Sequence, residues 1–214
     1  MDKTNKTGMI QRYSASQRIN HWIIALSFIL LALSGLALFH PSMYWLTNIL
    51  GGGTWTRILH PFIGVFMFIC FLVFAVRMAC NNIIKRHDIA WMKSFRDVLA
   101  KRDDKVPETG RYNAGQKMLF WVFVICMIGL LLTGIVMWRS YFAHLFPMGL
   151  LRLSSVLHAF LGFVMICAII VHIYAGIWVK GSIRAMTRGT VTPGWAWKNH
   201  RGWLRQMRGS GSHK

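Results

Sequence analysis

LSSVLHAFLGFVMICAIIVHIYAGIWV, residues 153–179, carries no charged residue and holds two histidines, His158 and His172. As an α-helix it is long enough to cross the roughly 30 Å hydrocarbon core of a bilayer, for which about 20 apolar residues suffice. An ionisable side chain at that depth is costly, so each histidine needs a functional reason to be there. The 14 residues that separate them advance about 21 Å and turn through roughly 1400°, within about 40° of whole turns. Both rings therefore leave one helix face at different depths, as expected of a helix that gives one ligand to each of two cofactors.

The rest of the chain divides in the same manner. Hydrophobic residues make up 55%, mean hydropathy is +0.43 and the formal net charge is +19. A soluble core does not need that combination, so charge and apolar character must be segregated along the chain. Arg57 and Arg77 bracket residues 58–76, Lys117 and Arg139 bracket 118–138, and Arg152 and Lys180 bracket 153–179. A further uncharged stretch follows Arg18, from about 20 to 39, where His40-Pro41 ends it. The sequence thus predicts an all-α integral membrane protein: 1–214 as a single membrane domain with transmembrane helices at 20–39, 58–76, 118–138 and 153–179, a loop at 77–117 and a tail at 180–214. The first span is too long for a cleavable signal peptide, and no small-residue cleavage site follows it.

Of the 25 Lys and Arg, only Arg57, Arg139 and Arg152 fall outside the N-terminal segment, the 77–117 loop and the tail. The positive-inside rule places both termini and that loop in the cytoplasm. Topology and contact with anionic lipid account for the basic excess better than nucleic-acid binding does. Cys70, Cys80, Cys126 and Cys167 form no C-x-x-C pair, and there is no C-x-x-C-H attachment sequence. Any haem is then held non-covalently, as in b-type cytochromes. The chain also lacks a nucleotide-binding loop and a cysteine run for an iron–sulfur cluster.

Depth decides which histidines can share an iron. With the N-terminus inside, His21 lies at the inner end of the first span and His60, three residues past Arg57, at the outer end of the second. His158 falls in the outer half of the last span and His172 in the inner half. The pairing that uses all four at matched depths joins His60 with His158 near the outer surface and His21 with His172 near the cytoplasm, giving a four-helix bundle with two b-type haems. Each histidine has a small residue one turn later: Ala25, Gly64, Gly162 and Gly176. Residues i and i+4 share a face, so a macrocycle can lie there; close helix packing is the other use of such glycines. A zinc or copper site and a satisfied proton-relay histidine are the other readings, and the absence of Asp and Glu from the spans weakens a proton pump.

Together, RINHWI (18–23), RILHPFIG (57–64), RYNAGQKMLFW (111–121), TGIVMWR (133–139) and VHIYAGIWVKGSI (171–183) resemble the gamma subunit, the membrane b-type cytochrome, of respiratory formate dehydrogenase. The resemblance runs from about residue 10 to about 205. It implies a dihaem anchor in the bacterial cytoplasmic (inner) membrane, with His21 and His172 on the inner haem b and His60 and His158 on the outer. It implies an iron–sulfur beta subunit as electron donor, a molybdenum-containing alpha subunit behind it, and menaquinone as acceptor. A trimer of such heterotrimers is known in the family. The family's quinone asparagine matches Asn113, with Gly115 and Gln116 beside it. WRSYF, where the family more often has proline in place of Ser140, departs from the pattern without touching a ligand. The cytochrome subunit of a nickel–iron hydrogenase or thiosulfate-type reductase is the near alternative, and a haem-free anchor or transporter the one from another class.

Several residues keep two readings. Asn113 and Gln116 have the spacing of a helix-capping pair as well as amides suited to a quinone. Arg18, Lys180, Arg57 and Arg152 serve as haem-propionate partners or as plain topology charges. His40, His87, His144, His200 and His213 are expected to be solvated, and GSGSHK at the end reads as a flexible tail.

Overall fold

The computed structural model describes residues 8–100, 102 and 106–209; the expected GSGSHK tail, apart from Gly209, and His213 lie outside them. Strand β1, Ile10–Gln11, comes first. Helix α1, Ala15–Phe39, opens on a reciprocal cap: the Ser14 N–H donates to Gln17 Oε1 (2.9 Å) and the Gln17 N–H to Ser14 Oγ (3.3 Å). Two donors that the first turn leaves unpaired are satisfied together. A 3₁₀ segment, Pro41–Leu50, follows, and Gly51 and Gly52 at φ 87° and 100° turn the chain into α2, Gly53–Ala79. Only glycine adopts such angles without a Cβ penalty.

Helices α3, Arg86–Lys93, and α4, Phe95–Leu99, lead to α5, Ala114–Met137. Its entry repeats the device of α1, with the Asn113 N–H donating to Gln116 Oε1 (3.0 Å) and the Gln116 N–H to Asn113 Oδ1 (2.9 Å). Helix α6, Met148–Trp178, contains His158 and His172. Helix α7, Ser182–Thr187, strand β2, Thr190–Val191, and helices α8, Pro193–Asn199, and α9, Arg201–Gly209, complete the described chain. As expected, the protein is mainly helical, and α1, α2, α5 and α6 are long and apolar enough to cross a membrane.

The chain divides into two compact units. One comprises Ile19–Val76 and Val122–Val171. Many of its large apolar side chains face outward, Ile29, Phe66, Leu132 and Phe163 each more than half exposed, whereas Ser27, Ser34, Ala37, Thr133 and Ser154 are buried together with Met67, Phe71, Met127 and Met165. Small and hydroxyl residues between helices with bulky residues outside is the pattern of a bundle solvated by lipid. Within it, the Asn20 amide donates to the Cys70 carbonyl (3.0 Å) and Phe62 meets Trp138 edge-on at 5.0 Å.

The other unit takes the described parts of Met1–Arg18, Arg77–Trp121 and His172–Lys214. β1 and β2 pair antiparallel, Ile10 opposite Val191, and Ile10, Ala185, Val191, Ala196, Trp203 and Leu204 form its core. Here the expectation for His200 fails: the residue is 2% exposed. Its Nδ1 is 2.9 Å from the Gly110 carbonyl and its Nε2 is 3.4 Å from Arg12 Nη2. Arg12, also buried, donates to the Arg111 carbonyl (2.7 Å) and lies 4.8 and 5.0 Å from the rings of Trp203 and Trp195. Burial first, and then the Arg12 charge, hold the His200 imidazole down to about 3, so it stays neutral.

Candidate functional site

In the lipid-type unit, α2 and α6 bring His60 and His158 together, their ring centroids 6.4 Å apart and their planes at 62°. Each ring is held by a hydroxyl from another helix. Ser34 Oγ on α1 lies 2.7 Å from His60 Nδ1, and Thr133 Oγ1 on α5 lies 2.8 Å from His158 Nδ1. Carbonyls within reach of both hydroxyls favour one direction for both bonds. A hydroxyl has one proton; the Ser34 O–H donates to the Leu31 carbonyl (3.2 Å) and the Thr133 O–H to the Gly129 carbonyl (2.7 Å). Each oxygen is then left to accept from Nδ1–H, and each neutral imidazole keeps a bare lone pair on Nε2, the form that ligates a metal.

The spacing fits a shared metal. An imidazole nitrogen binds a transition metal at about 2.0–2.1 Å, and adding the half-width of each ring puts two opposed imidazoles roughly 6.4 Å apart, centre to centre. A side chain at Gly162 would meet nothing within 4 Å, and one at Gly64 only Leu31 Cδ2 at 3.9 Å. The helix faces one turn beyond both ligands therefore admit a flat ring. Two imidazoles between apolar walls are too few donors for a closed zinc site and suit the axial positions of a haem. Among the described residues no group of three or more His, Cys, Asp or Glu gathers as a metal-ion site.

Of the other expected ligands, His21 lies on α1 in this unit, its ring edge-on to Trp22 at 5.5 Å. His172 opens the segment of α6 that belongs to the second unit. A side chain at Gly176, one turn beyond it, would meet nothing within 4 Å.

Asn113, Gly115 and Gln116 sit at the start of α5 in the second unit. The cap consumes the carbonyl oxygen of each amide. Both NH₂ groups are left as donors, with no hydrogen bond among the described residues. A Cβ at Gly115 would lie 3.3 Å from Trp91 Cη2, so glycine lets that indole close on the helix. One turn into α5, Lys117 is buried and bonded to Asp88 Oδ2 and to the Ile83 carbonyl at 2.7 and 3.0 Å. Burial raises the affinity of the Asp88 carboxyl for a proton; the Lys117 and Lys85 N–H donors and the neighbouring charges outweigh it and hold it below the usual carboxylate range.

Ser34 and Gly35 have no part in the sequence reading, and Thr133 and Gly134 enter it only within TGIVMWR, with no role beside a histidine. Their signal was the recurrence of LSG at 33–35 and LTG at 132–134, each four residues before the end of an apolar span.

Comparison with known proteins agrees with this picture. Residues 12–189 match the family described as prokaryotic cytochrome b561. The chain is similar to the formate dehydrogenase cytochrome b556(fdo) subunit of Escherichia coli K12, 47% identical over 199 residues that cover 93% of each chain. It is 42% identical over 203 residues to the nitrate-inducible formate dehydrogenase cytochrome b556(Fdn) subunit of the same bacterium, covering 95% of this chain and 94% of the relative. The formate dehydrogenase cytochrome b556 subunit of Haemophilus influenzae is 42% identical over 203 residues, which cover 95% and 85%.

Proposed function

Because this chain belongs to the prokaryotic cytochrome b561 family, a multi-pass b-type cytochrome of the bacterial inner membrane, we propose that it is the cytochrome b subunit of a respiratory formate dehydrogenase. In this reading it carries electrons from an iron–sulfur beta subunit, fed by a molybdenum-containing alpha subunit on the periplasmic side, to menaquinone near the cytoplasmic face. The names of its relatives support the formate dehydrogenase complex. The observation that carries the reading is the pair His60 and His158, 6.4 Å apart with both Nδ1 atoms committed to hydroxyls.

Haem b, when bound, supplies a one-electron couple. His60 and His158 are assigned to the outer haem; His21 and His172 are assigned to the inner one on their matched depth in the sequence. The apolar walls of the spans exclude water from the ligands. Asn113 and Gln116 supply the amide donors for a quinone carbonyl, a group whose negative charge grows on reduction, and Gly115 lets backbone approach the ring. Both termini are assigned to the cytoplasm by their basic residues. Electrons then start outside while the protons for quinone reduction are taken up inside, so turnover builds membrane potential without a pumping channel.

Purification of the native complex in mild detergent tests this. The expected result is two haem b per chain, reduced by formate and reoxidised by a menaquinone analogue, with iron–sulfur and molybdenum partners attached. A nickel-containing partner would assign the chain to a hydrogenase, and a preparation without haem would overturn the reading.

A further inference from the structure

Two hydroxyls stand in equivalent positions on the two sides of the histidine pair, Ser34 facing His60 and Thr133 facing His158. We propose that Ser34 and Thr133 are positioning residues that fix the rotation and the basicity of the outer haem's two axial imidazoles. The proposal rests on the reading that His60 and His158 hold that haem.

Serine and threonine in apolar helices ordinarily return their proton to a carbonyl three or four residues earlier, and both do so here, to Leu31 and Gly129. What is unusual is the use of the remaining lone pair. It accepts from a ring nitrogen on a different helix at 2.7 and 2.8 Å. Turning either ring about its Cβ–Cγ bond breaks that hydrogen bond, and a polar group left unpaired among apolar spans is costly. The next residue in each case is glycine. A Cβ at Gly35 would stand 3.6 Å from His60 Cε1, and one at Gly134 3.4 Å from His158 Cε1. Each ring edge is thus flush against the helix that holds its Nδ1, and the 62° between the ring planes is set by hydroxyl and packing together.

The electronic consequence follows from the same bonds. A ligating imidazole that donates its other N–H to an oxygen becomes a more basic ligand. A more basic axial ligand favours ferric over ferrous iron and lowers the reduction potential of the haem. Serine and threonine are neutral acceptors, so the effect is milder than that of a carboxylate in the same place. Two chain segments of different sequence, α1 and α5, deliver this device to the two faces of one site.

The test uses Ser34→Ala and Thr133→Val, which remove the hydroxyl, beside Ser34→Thr and Thr133→Ser, which keep it. Each is made in the native complex in mild detergent. Haem per chain, potentiometric titration of the b-type absorption bands and low-spin ferric electron paramagnetic resonance are the readouts. In Ser34→Ala and Thr133→Val the outer haem's potential should rise and its resonance should shift, while the inner haem stays as in the wild type. The hydroxyl-keeping variants should behave as the wild type. Loss of one haem from the hydroxyl-free variants, with retention in the other two, also supports the proposal. A double variant Ser34→Ala/Thr133→Val with both potentials and both resonances unchanged overturns it. So does an equal shift or loss in the hydroxyl-keeping variants, which would make side-chain volume the cause. The underlying reading fails separately, if His158→Ala retains two low-spin haems.

Discussion

In the unit of Ile19–Val76 and Val122–Val171, the buried polar residues are Ser27, Ser34, Thr47, Thr56, Thr133 and Ser154, while Ile29, Phe66, Phe160 and Phe163 point outward. In the other unit Ile10, Val191, Ala196, Trp203 and Leu204 form a core, and beside Asn82 and Thr109 its buried polar residues include charged and ring groups that the first unit lacks among the described residues: Arg12, Asp88, Lys117 and His200. The difference follows from the surrounding medium. Lipid offers no hydrophobic force between helices, so hydroxyls and small residues hold the first unit together. The second unit has an apolar core of its own, and its buried charges persist because each is paired, stacked or hydrogen-bonded. Neutral hydroxyls face the two histidines of the first unit, and an ionic pair fastens the loop of the second.

The largest test of that contrast is His60→Ala. Removing this ring takes away one of two imidazoles whose centroids lie 6.4 Å apart, and the expected result is loss of one haem per chain with interrupted reduction of quinone. Haem quantification by the reduced-minus-oxidised spectrum reads it. The second unit should keep its resistance to protease, and a collapse of both units together would show that the contrast does not separate them.

Asp88→Asn probes the opposite unit. The Lys117 ammonium, 5% exposed, would lose the carboxylate 2.7 Å away. Breaking a buried pair from one side costs about 3–5 kcal/mol, so thermal unfolding in detergent should move down by several degrees without a change in the spectrum of the folded protein. The sign of the pH effect follows from the depressed Asp88 pKa. The stability it contributes is complete above its unfolded value, about pH 4, and is lost as pH falls from there through the folded value. The variant should lack that acid limb.

His200 gives a smaller effect at milder pH. Its folded value is about 3, against about 6.5 in an unfolded chain. Between these the unfolded state binds the proton and the folded state does not, so stability is full above about pH 6.5 and declines as pH falls, by at most about 1.4 kcal/mol per unit. From pH 7 to pH 5 the wild type should lose about 2 kcal/mol from this group. His200→Gln should flatten that part of the profile in denaturant titrations, and an unchanged slope would place the effect elsewhere.

The spans were legible because arginine and lysine bracket them, but the brackets mark the edge of the apolar stretch and not of the helix. α1 begins at Ala15, ahead of Arg18, because the Ser14–Gln17 cap starts it there, and α6 begins at Met148, ahead of Arg152. That His60 and His158 share a level follows from the charges flanking their helices. Which hydroxyls face them does not, because helical period gives the face of one helix and says nothing of the rotation of its neighbour. His200 was misread for a related reason. α7, α8 and α9 have six, seven and nine residues, too few for a periodic pattern to mark the tail as a folded layer.

The smallest expected change in stability belongs to Asn113, at a helix end in the second unit where capping and quinone binding use different atoms of one amide. Its Oδ1 accepts from the Gln116 N–H at 2.9 Å. Asn113→Ala removes that acceptor and should cost about 1 kcal/mol, as N-cap losses do. Asn113→Asp keeps an acceptor, and an anion at a helix N-terminus is favoured by the helix dipole, so its stability should stay close to that of the wild type. What aspartate loses is the NH₂, the donor that the cap leaves unused and that a quinone carbonyl requires. The aspartate variant should therefore hold its haems, accept electrons at the normal rate from the donor and be reoxidised slowly by menaquinone analogues, while the alanine variant is both less stable and slow. Stopped-flow reoxidation of the two variants, set beside their unfolding midpoints, separates the roles. Normal reoxidation of Asn113→Asp with unchanged inhibitor affinity would leave the cap as the only work of this side chain.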